Sequence, residues 1–319
     1  MSAVLTPAKQ SESPSGSQPA RDPRRRRRQR WTVARVLRLV VLWAFAIYFG
    51  LPLVWLALAP SKTDQQLATL SPYSFGSFEN YGIAWQNLLV FNDAVLLSWI
   101  GNSLLYSVLA VGLALLLSIP AGYALAATRM PGRQLILTVT LIAMVTPGAA
   151  RVIPLFLELN AVGITNTMWA VILPQAFFPF GMYLAFIHYS SNLPRDLLDA
   201  ARIDGASEAG IFTRIALPLS KPVFGLVGFF AFLGSWNDYF LPFVMLASND
   251  KYTLPVGLGA LIASAPGVNP SEATGASDLP IMRPEVALAG LIAIVPVVLI
   301  FLLAQRSLIT GALSGATKD

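Results

Sequence analysis

Six apolar runs, each long enough to cross a lipid bilayer, leave this chain little room to be anything but a membrane protein. A spanning helix needs about 20 mostly apolar residues. Such runs occupy roughly residues 36–59, 102–127, 134–157, 168–189, 223–247 and 285–304. Prolines at 147, 154, 174 and 179 interrupt the third and fourth. Only 12% of the 319 residues are charged, against about a quarter in soluble domains. The expected fold class is therefore an all-α polytopic membrane protein with about six transmembrane helices. The absence of Cys rules out disulfides, thiolate metal sites and cysteine nucleophiles.

Residues 1–30 are rich in Ser, Pro, Ala and Gln and end in the run Arg24 to Arg28, so they are expected to be a disordered basic tail. Such a run can attract nucleic acid or acidic lipid, but an apolar span follows directly, which makes it an orientation signal. That first span is too long for a signal-peptide core of about 7–15 residues. Of the 22 Lys and Arg residues, all but Lys62, Arg151, Lys251 and Arg283 fall on the side of the N-terminus when the six spans alternate. This places both termini and the stretch 192–222 in the cytoplasm.

That stretch, the longest polar interruption, reads as two short helices joined by a turn. Pro194 suits a first helical position, and Asp196 sets a carboxylate at the favourable end of the dipole. Leu197, Leu198, Ala201 and Ile203 are expected on one apolar side, with Arg195, Asp199 and Arg202 toward water. Gly205 supplies a left-handed position that ends the first helix. The second carries Ile211, Phe212 and Ile215 and is stopped by Pro218 and Pro222. A polar knob with apolar ridges suits docking into a groove of another protein. An ordinary cytoplasmic loop with interfacial helices is the plainer reading.

Asp199-Ala200-Ala201, then Gly205, then Ile215-Ala216-Leu217-Pro218 stand at the spacing of the loop signature of permease subunits of ATP-binding-cassette importers. Asp199 replaces the usual Glu and keeps the carboxylate. The chain thus resembles that family, in its carbohydrate, maltose-type branch, over roughly residues 35–319. Asn80-Tyr81, Asn102-Ser103, the run Thr253 to Leu258, and Gln305-Arg306 with the following Gly311 to Lys318 are similar to that branch too. The resemblance implies that Asp199, Ala200, Ala201, Gly205, Ile215, Leu217 and Pro218 couple the chain to an ATPase. It implies a six-helix domain over 31–305 and a cytoplasmic tail over 306–319. It also implies a second permease, an ATPase dimer and an extracytoplasmic sugar-binding protein as partners, in a bacterial plasma membrane.

Within the spans, Trp236-Asn237-Asp238-Tyr239 puts a carboxylate where charge is costly, which marks a functional position. Rings beside amide and carboxylate groups suit a sugar, and these four residues are candidates for the substrate path. A packing or gating role, with Asp238 bonded to a neighbouring helix, is the alternative. Arg151, between Pro147 and Pro154, either lines a cavity or snorkels to the outer surface. His188, the sole histidine, reads as interfacial. Ala110, Ala114, Ser118, Gly122 and Ala126 form a small-residue stripe for close helix packing. The Pro-, Gly- and Ser-rich loop over 263–284 is expected to be mobile.

No Gly-Lys dipeptide exists, so the phosphate-cradling ATPase loop is absent. One His and no Cys offer no metal site, and no G-x-S-x-G is present. No cofactor or metal is expected in this chain, with ATP and Mg held by a partner ATPase, and no nucleic acid is expected as a partner. The expected function is import of a sugar or oligosaccharide. A polyol or glycerophosphodiester importer, an ion-coupled secondary transporter and a membrane scaffold remain as alternatives.

Overall fold

The computed structural model of the protein describes residues 23–266, 268 and 281–313, and all regular elements among them are helices. The chain forms two compact units divided after Leu53. What is described of the first is most of helix α1 (Pro23–Leu58). Its apolar side chains, among them Trp43, Phe45, Tyr48 and Phe49, are exposed on all sides, as befits a span in lipid. The helix begins at Pro23, so residues 23–30 are helical rather than disordered. Proline is preset for a first helical position, and extending a helix already formed costs no new nucleus. The rest of the expected tail, residues 1–22, lies outside the described residues.

The second unit opens with two short helices, α2 (Asp64–Thr69) and α3 (Phe78–Val90), and then the long helix α4 (Val95–Ala127). At 1.5 Å per residue its 33 residues run about 50 Å. Three apolar clusters form the core, and α4 enters each of them, through Trp99, through Tyr106 and Ala110, and through Ile119 and Tyr123. It is the shaft of the unit.

The small-residue stripe is what lets other helices approach that shaft. Ala110, Ala114, Ser118 and Gly122 are all buried. At Gly122 a Cβ would sit 2.4 Å from the Ala185 Cβ and 2.7 Å from the Phe186 backbone nitrogen. Those atoms belong to α8 (Pro179–Asn192), whose backbone therefore lies almost against α4.

Four stretches are long and apolar enough to cross a membrane without a sharp bend: 33–61, 95–127, 168–192 and 283–305. They correspond to the first, second, fourth and sixth expected spans. The third and fifth are broken. Helices α5 (Arg133–Val145) and α6 (Gly148–Ala161) meet at 104°. The cause is Pro147, which drives Thr146 out of the helical region to ψ 123°. The fourth pauses at Phe177, between α7 (Met168–Ala176) and α8, ahead of Pro179.

The stretch 192–222 folds as α9 (Arg195–Ile203), α10 (Glu208–Ile211) and α11 (Leu217–Leu219), followed after Ser220 by α12 (Lys221–Trp236). The fifth span is α12 and then α13 (Phe240–Met245), parted at Asn237–Asp238. Helices α14 (Leu254–Ser264) and α15 (Arg283–Leu313) complete the unit. The C-terminal tail is thus helical as far as Leu313, and residues 314–319 lie outside the described residues, as do 267 and 269–280 of the loop expected to be mobile.

At the end of the unit opposite α9, motifs far apart in sequence explain one another. Asn102 Nδ2 donates to the Asp250 and Tyr252 carbonyls at 2.7 and 3.1 Å, and Ser103 Oγ accepts the Leu254 N–H at 2.6 Å. Trp99 donates to the Asn249 carbonyl, and its ring lies where a Cβ on Gly257 would stand. Asn80 donates to the Ser61 carbonyl at 2.7 Å and Tyr81 to that of Ala57. These pairs clamp loops to helix ends.

Candidate functional site

The first candidate site is the knob formed by α9 to α11. The left-handed turn expected at Gly205 is present, with φ +81°. The Gly205 N–H donates to the Arg202 carbonyl and the Ala206 N–H to that of Ala201, at 3.1 and 3.0 Å. This pair of bonds closes a helix whose next residue is left-handed. A Cβ on Gly205 would meet nothing within 4 Å, so only backbone conformation demands glycine here. Ser207 caps the next helix by accepting the Gly210 N–H.

The apolar ridges point inward. Leu198, Ile211 and Ala216 are buried against Ile119, Tyr123 and Tyr189 of the spans, with Ala201, Phe212, Ile215 and Leu217 beside them. Leu197 is 42% exposed and Ile203 87% exposed, so they do not share the side of Leu198 as expected. Five steps of about 100° carry Ile203 to the far face. Asp199, Ala200, Gly205 and Pro218 are also exposed. The free face of the knob is thus mostly polar, with Ile203 standing out of it.

Arg202, expected toward water, is instead the hub of the knob. Its Nη1 donates to Asp199 Oδ1 at 2.7 Å, its Nε to Glu208 Oε1 at 2.8 Å, and its Nη2 to the Ala127 carbonyl at 3.0 Å. One guanidinium joins α9, α10 and the end of the shaft. Tyr123 Oη donates to the other Glu208 oxygen at 3.4 Å. The charge-assisted bond from Arg202 holds the Glu208 carboxyl below its ordinary range. The Asp199–Arg202 spacing is readable in sequence as an i,i+3 pair. Glu208 lies across a turn and has no periodic signal.

Pro218 does not stop the second helix, which continues to Leu219 after a widened π turn over Phe212–Ala216. The Leu217 N–H reaches back five residues to the Phe212 carbonyl. The widening makes room for a proline ring that would otherwise strike the carbonyl four residues before it. Buried Ser220, 2.6 Å from Tyr189 Oη and bonded to the Ala216 carbonyl, then fixes a 79° bend into α12.

The second candidate site is a cleft of about 490 Å3 within the spans. Three interruptions converge on it: Gly148 and Arg151 after the α5–α6 break, Phe177 and Phe178 between α7 and α8, and Asp238 after α12. Non-helical backbone at membrane depth is tolerated where it lines a cavity. Asp238 Oδ2 accepts Gln175 Nε2 at 3.1 Å, and Oδ1 accepts the Leu241 N–H at 3.3 Å. Gln175 Oε1 accepts Ser235 Oγ–H at 2.7 Å, and Ser107 of the shaft lies 3.2 Å further on. Gln175 was not among the residues expected here; a polar side chain in an apolar run is the signal by which the sequence could have pointed to it.

The four residues expected on the substrate path separate. Asp238 lines the cleft. Trp236 is buried, stacked on Phe232, and donates to the Ala293 carbonyl of α15 at 3.0 Å. Asn237 donates to the Leu233 carbonyl at the end of α12, and the Tyr239 ring stacks on Phe243 close to Gly259. The helix ends at Trp236, so the four residues diverge around the break instead of sharing a face. Arg151 also lines the cleft rather than being turned away from it. His188 Nδ1 is 3.3 Å from Asn192 Nδ2 at the end of α8.

Broken spans around a polar cleft, with a rigid knob clamped to the longest span, define a polytopic membrane permease. The chain belongs to the family of binding-protein-dependent transport system inner membrane components, whose description matches residues 115–311. It is similar to the arabinooligosaccharides transport system permease protein of Halalkalibacterium halodurans, at 37% identity over 233 residues, 72% of this chain and 78% of that protein. It is also similar to the diacetylchitobiose uptake system permease protein of Streptomyces coelicolor, at 31% over 284 residues, 88% and 86% of the two chains. A bacterial ABC transporter involved in import of the acidic polysaccharide alginate shares the fold, with a TM-score of 0.71 at 20% identity over 91% of this chain and 99% of that one.

Proposed function

We propose that this chain is one of two permease subunits of an importer that takes up an oligosaccharide, with both termini and the knob on the cytoplasmic side of a bacterial plasma membrane. An ATPase dimer and an extracytoplasmic sugar-binding protein complete the working complex, and ATP and Mg are held by the ATPase. The observation that carries this reading is the Arg202 hub. A knob joined to the end of the α4 shaft moves with it, so a push on α9 reaches the spans as a rigid displacement. The names of the relatives support the choice of an oligosaccharide.

In this reading Asp199, Ala200, Ala201 and Gly205 present the knob to the ATPase, and Ile215, Leu217 and Pro218 form the elbow that passes its motion to α12. Closure of the ATPase on ATP draws the knobs of the two permeases together and opens the spans outward. The solute passes the cleft. There Asp238 and Gln175 offer hydrogen bonds to hydroxyls and Phe177 and Phe178 offer apolar faces. Trp236, Asn237 and Tyr239 serve the path by holding the break that presents Asp238.

The test is uptake of labelled oligosaccharide and stimulated ATP hydrolysis in the reconstituted complex. Gly205→Asp costs only about 1–2 kcal/mol of left-handed backbone strain, and its Cβ would meet nothing within 4 Å among the described residues. The variant is expected to fold and to lose both activities by obstructing the docked face. Full uptake and hydrolysis with this variant would refute the coupling role of the knob. Asp238→Asn, which keeps one acceptor and converts the other into a donor facing Gln175, should lower uptake about tenfold while leaving basal hydrolysis intact. An unchanged KM and maximal rate would remove Asp238 from the path.

A further inference from the structure

The cleft within the spans holds two charges, Arg151 on α6 and Asp238 in the break between α12 and α13, and its other lining residues are neutral. The two are not paired in this structure. Among the described residues no carboxylate lies within ion-pair distance of Arg151, and its guanidinium has no hydrogen-bond partner. Asp238 is held by neutral donors, Gln175 Nε2 on one oxygen and the Leu241 N–H on the other.

The helices beside these charges touch. Gly148, Arg151, Val152 and Leu155, spaced by three and four residues, turn one face of α6 to the cleft. Through Val152 and Leu155 that helix packs on Leu241 and Met245 of α13, within one apolar cluster. Arg151 stands near the start of α6, just past its 104° break, and Asp238 just ahead of α13. Each charge thus sits beside an interrupted backbone, at the end of its helix that opens on the cleft. Small sliding of packed helices is an ordinary mode of motion, and a slide of α6 along α13 changes the separation of the two charges.

A path with alternating access cannot keep this cleft open throughout its cycle. As the cleft closes, water leaves, and an unpaired guanidinium in a water-poor site is costly. Asp238 is the only carboxylate among the lining residues that can meet it, and opposite charges attract far more strongly there than in bulk water. We propose that Arg151 and Asp238 form an ion pair that shuts the cleft once the solute has left. When the cleft reopens, hydroxyls of the solute take the carboxylate that the guanidinium releases, so an occupied path and a paired gate exclude each other. The gate rests on the importer reading, in which ATP opens the spans outward, so the pair belongs to the nucleotide-free state of the complex.

The chain has no Cys, so Arg151→Cys with Asp238→Cys gives a clean pair for cross-linking in the reconstituted complex. A short bis-methanethiosulfonate linker is used, because a direct disulfide demands Cα atoms within about 7 Å. Linkage, read as the joined peptides by mass spectrometry, should be about tenfold greater without nucleotide than after trapping with ATP and vanadate. Linkage that is equal in the two conditions, absent from both, or greater in the trapped one overturns the gate. Uptake by Arg151→Gln, Asp238→Asn and the double variant gives a second measure with side chains close to native size. Each single change should lower uptake about tenfold, and the double also about tenfold, whereas independent sites would multiply to about a hundredfold. A hundredfold loss in the double variant overturns the pairing. Wild-type uptake is measured alongside. If it depends on ATP, an overturning result defeats the gate alone; if it does not, the importer reading falls and the gate with it.

Discussion

Arg202→Ala is expected to leave the protein folded and to uncouple it. The side chain is 34% exposed and its partners Asp199 and Glu208 are 64% and 51% exposed. Exposed ion pairs of this kind contribute about 0–1 kcal/mol, so thermal unfolding in detergent should shift little. The mechanical loss is larger, because the same guanidinium joins α9 and α10 to the Ala127 carbonyl at the end of α4. Coupling energies between sites of about 1–3 kcal/mol correspond to about 5- to 150-fold. Uptake per ATP hydrolysed should therefore fall about tenfold.

Arg202→Lys should behave like the alanine variant, because a single ammonium does not reproduce a planar fork bonded in three directions. Full uptake by the lysine variant would show that only the charge matters. The wild type also has an acid limit of a predictable sign. The Glu208 carboxyl is held below its ordinary value in the fold, so its contribution is complete above the unfolded value of about 4.3 and is lost as pH falls through the lowered folded one. Arg202→Ala should remove that acid dependence of knob stability, as followed by proteolysis within α9 and α10.

The second large effect is expected at Gly122. Even alanine there places a Cβ 2.4 Å from the Ala185 Cβ and 2.7 Å from the Phe186 nitrogen, far inside van der Waals contact. The obstacle is backbone, which gives way only if α4 and α8 separate. Overpacking costs about 1–3 kcal/mol, and Gly122→Val, with two further methyl groups, should lie at or above the top of that range and yield little monodisperse protein. Gly112 of the same helix has nothing within 4 Å of its Cβ position. Gly112→Ala should be neutral or stabilise by up to about 1 kcal/mol through helix propensity. Equal melting temperatures for the two alanine variants would show that the close approach of α4 and α8 does not limit stability.

Local chemistry carried much of this protein's description. The apolar runs required spanning helices, because in lipid each backbone polar group must find a partner within its own segment. The stripe at Ala110, Ala114, Ser118 and Gly122 announced a close helix contact, and Gly205 announced a left-handed helix end, since both depend on side chains a few residues apart. Tertiary structure decided what those elements do. Ile203 faces outward and Leu198 inward because the α4 and α8 surfaces select which side of α9 is buried. Trp236 goes into the core and Asp238 into the cleft because α12 stops between them. Arg202 becomes a hub through Glu208 and the Ala127 carbonyl, the latter 75 residues away. A contact between residues distant in the chain leaves no periodicity to read, and it exists only once the helices have packed.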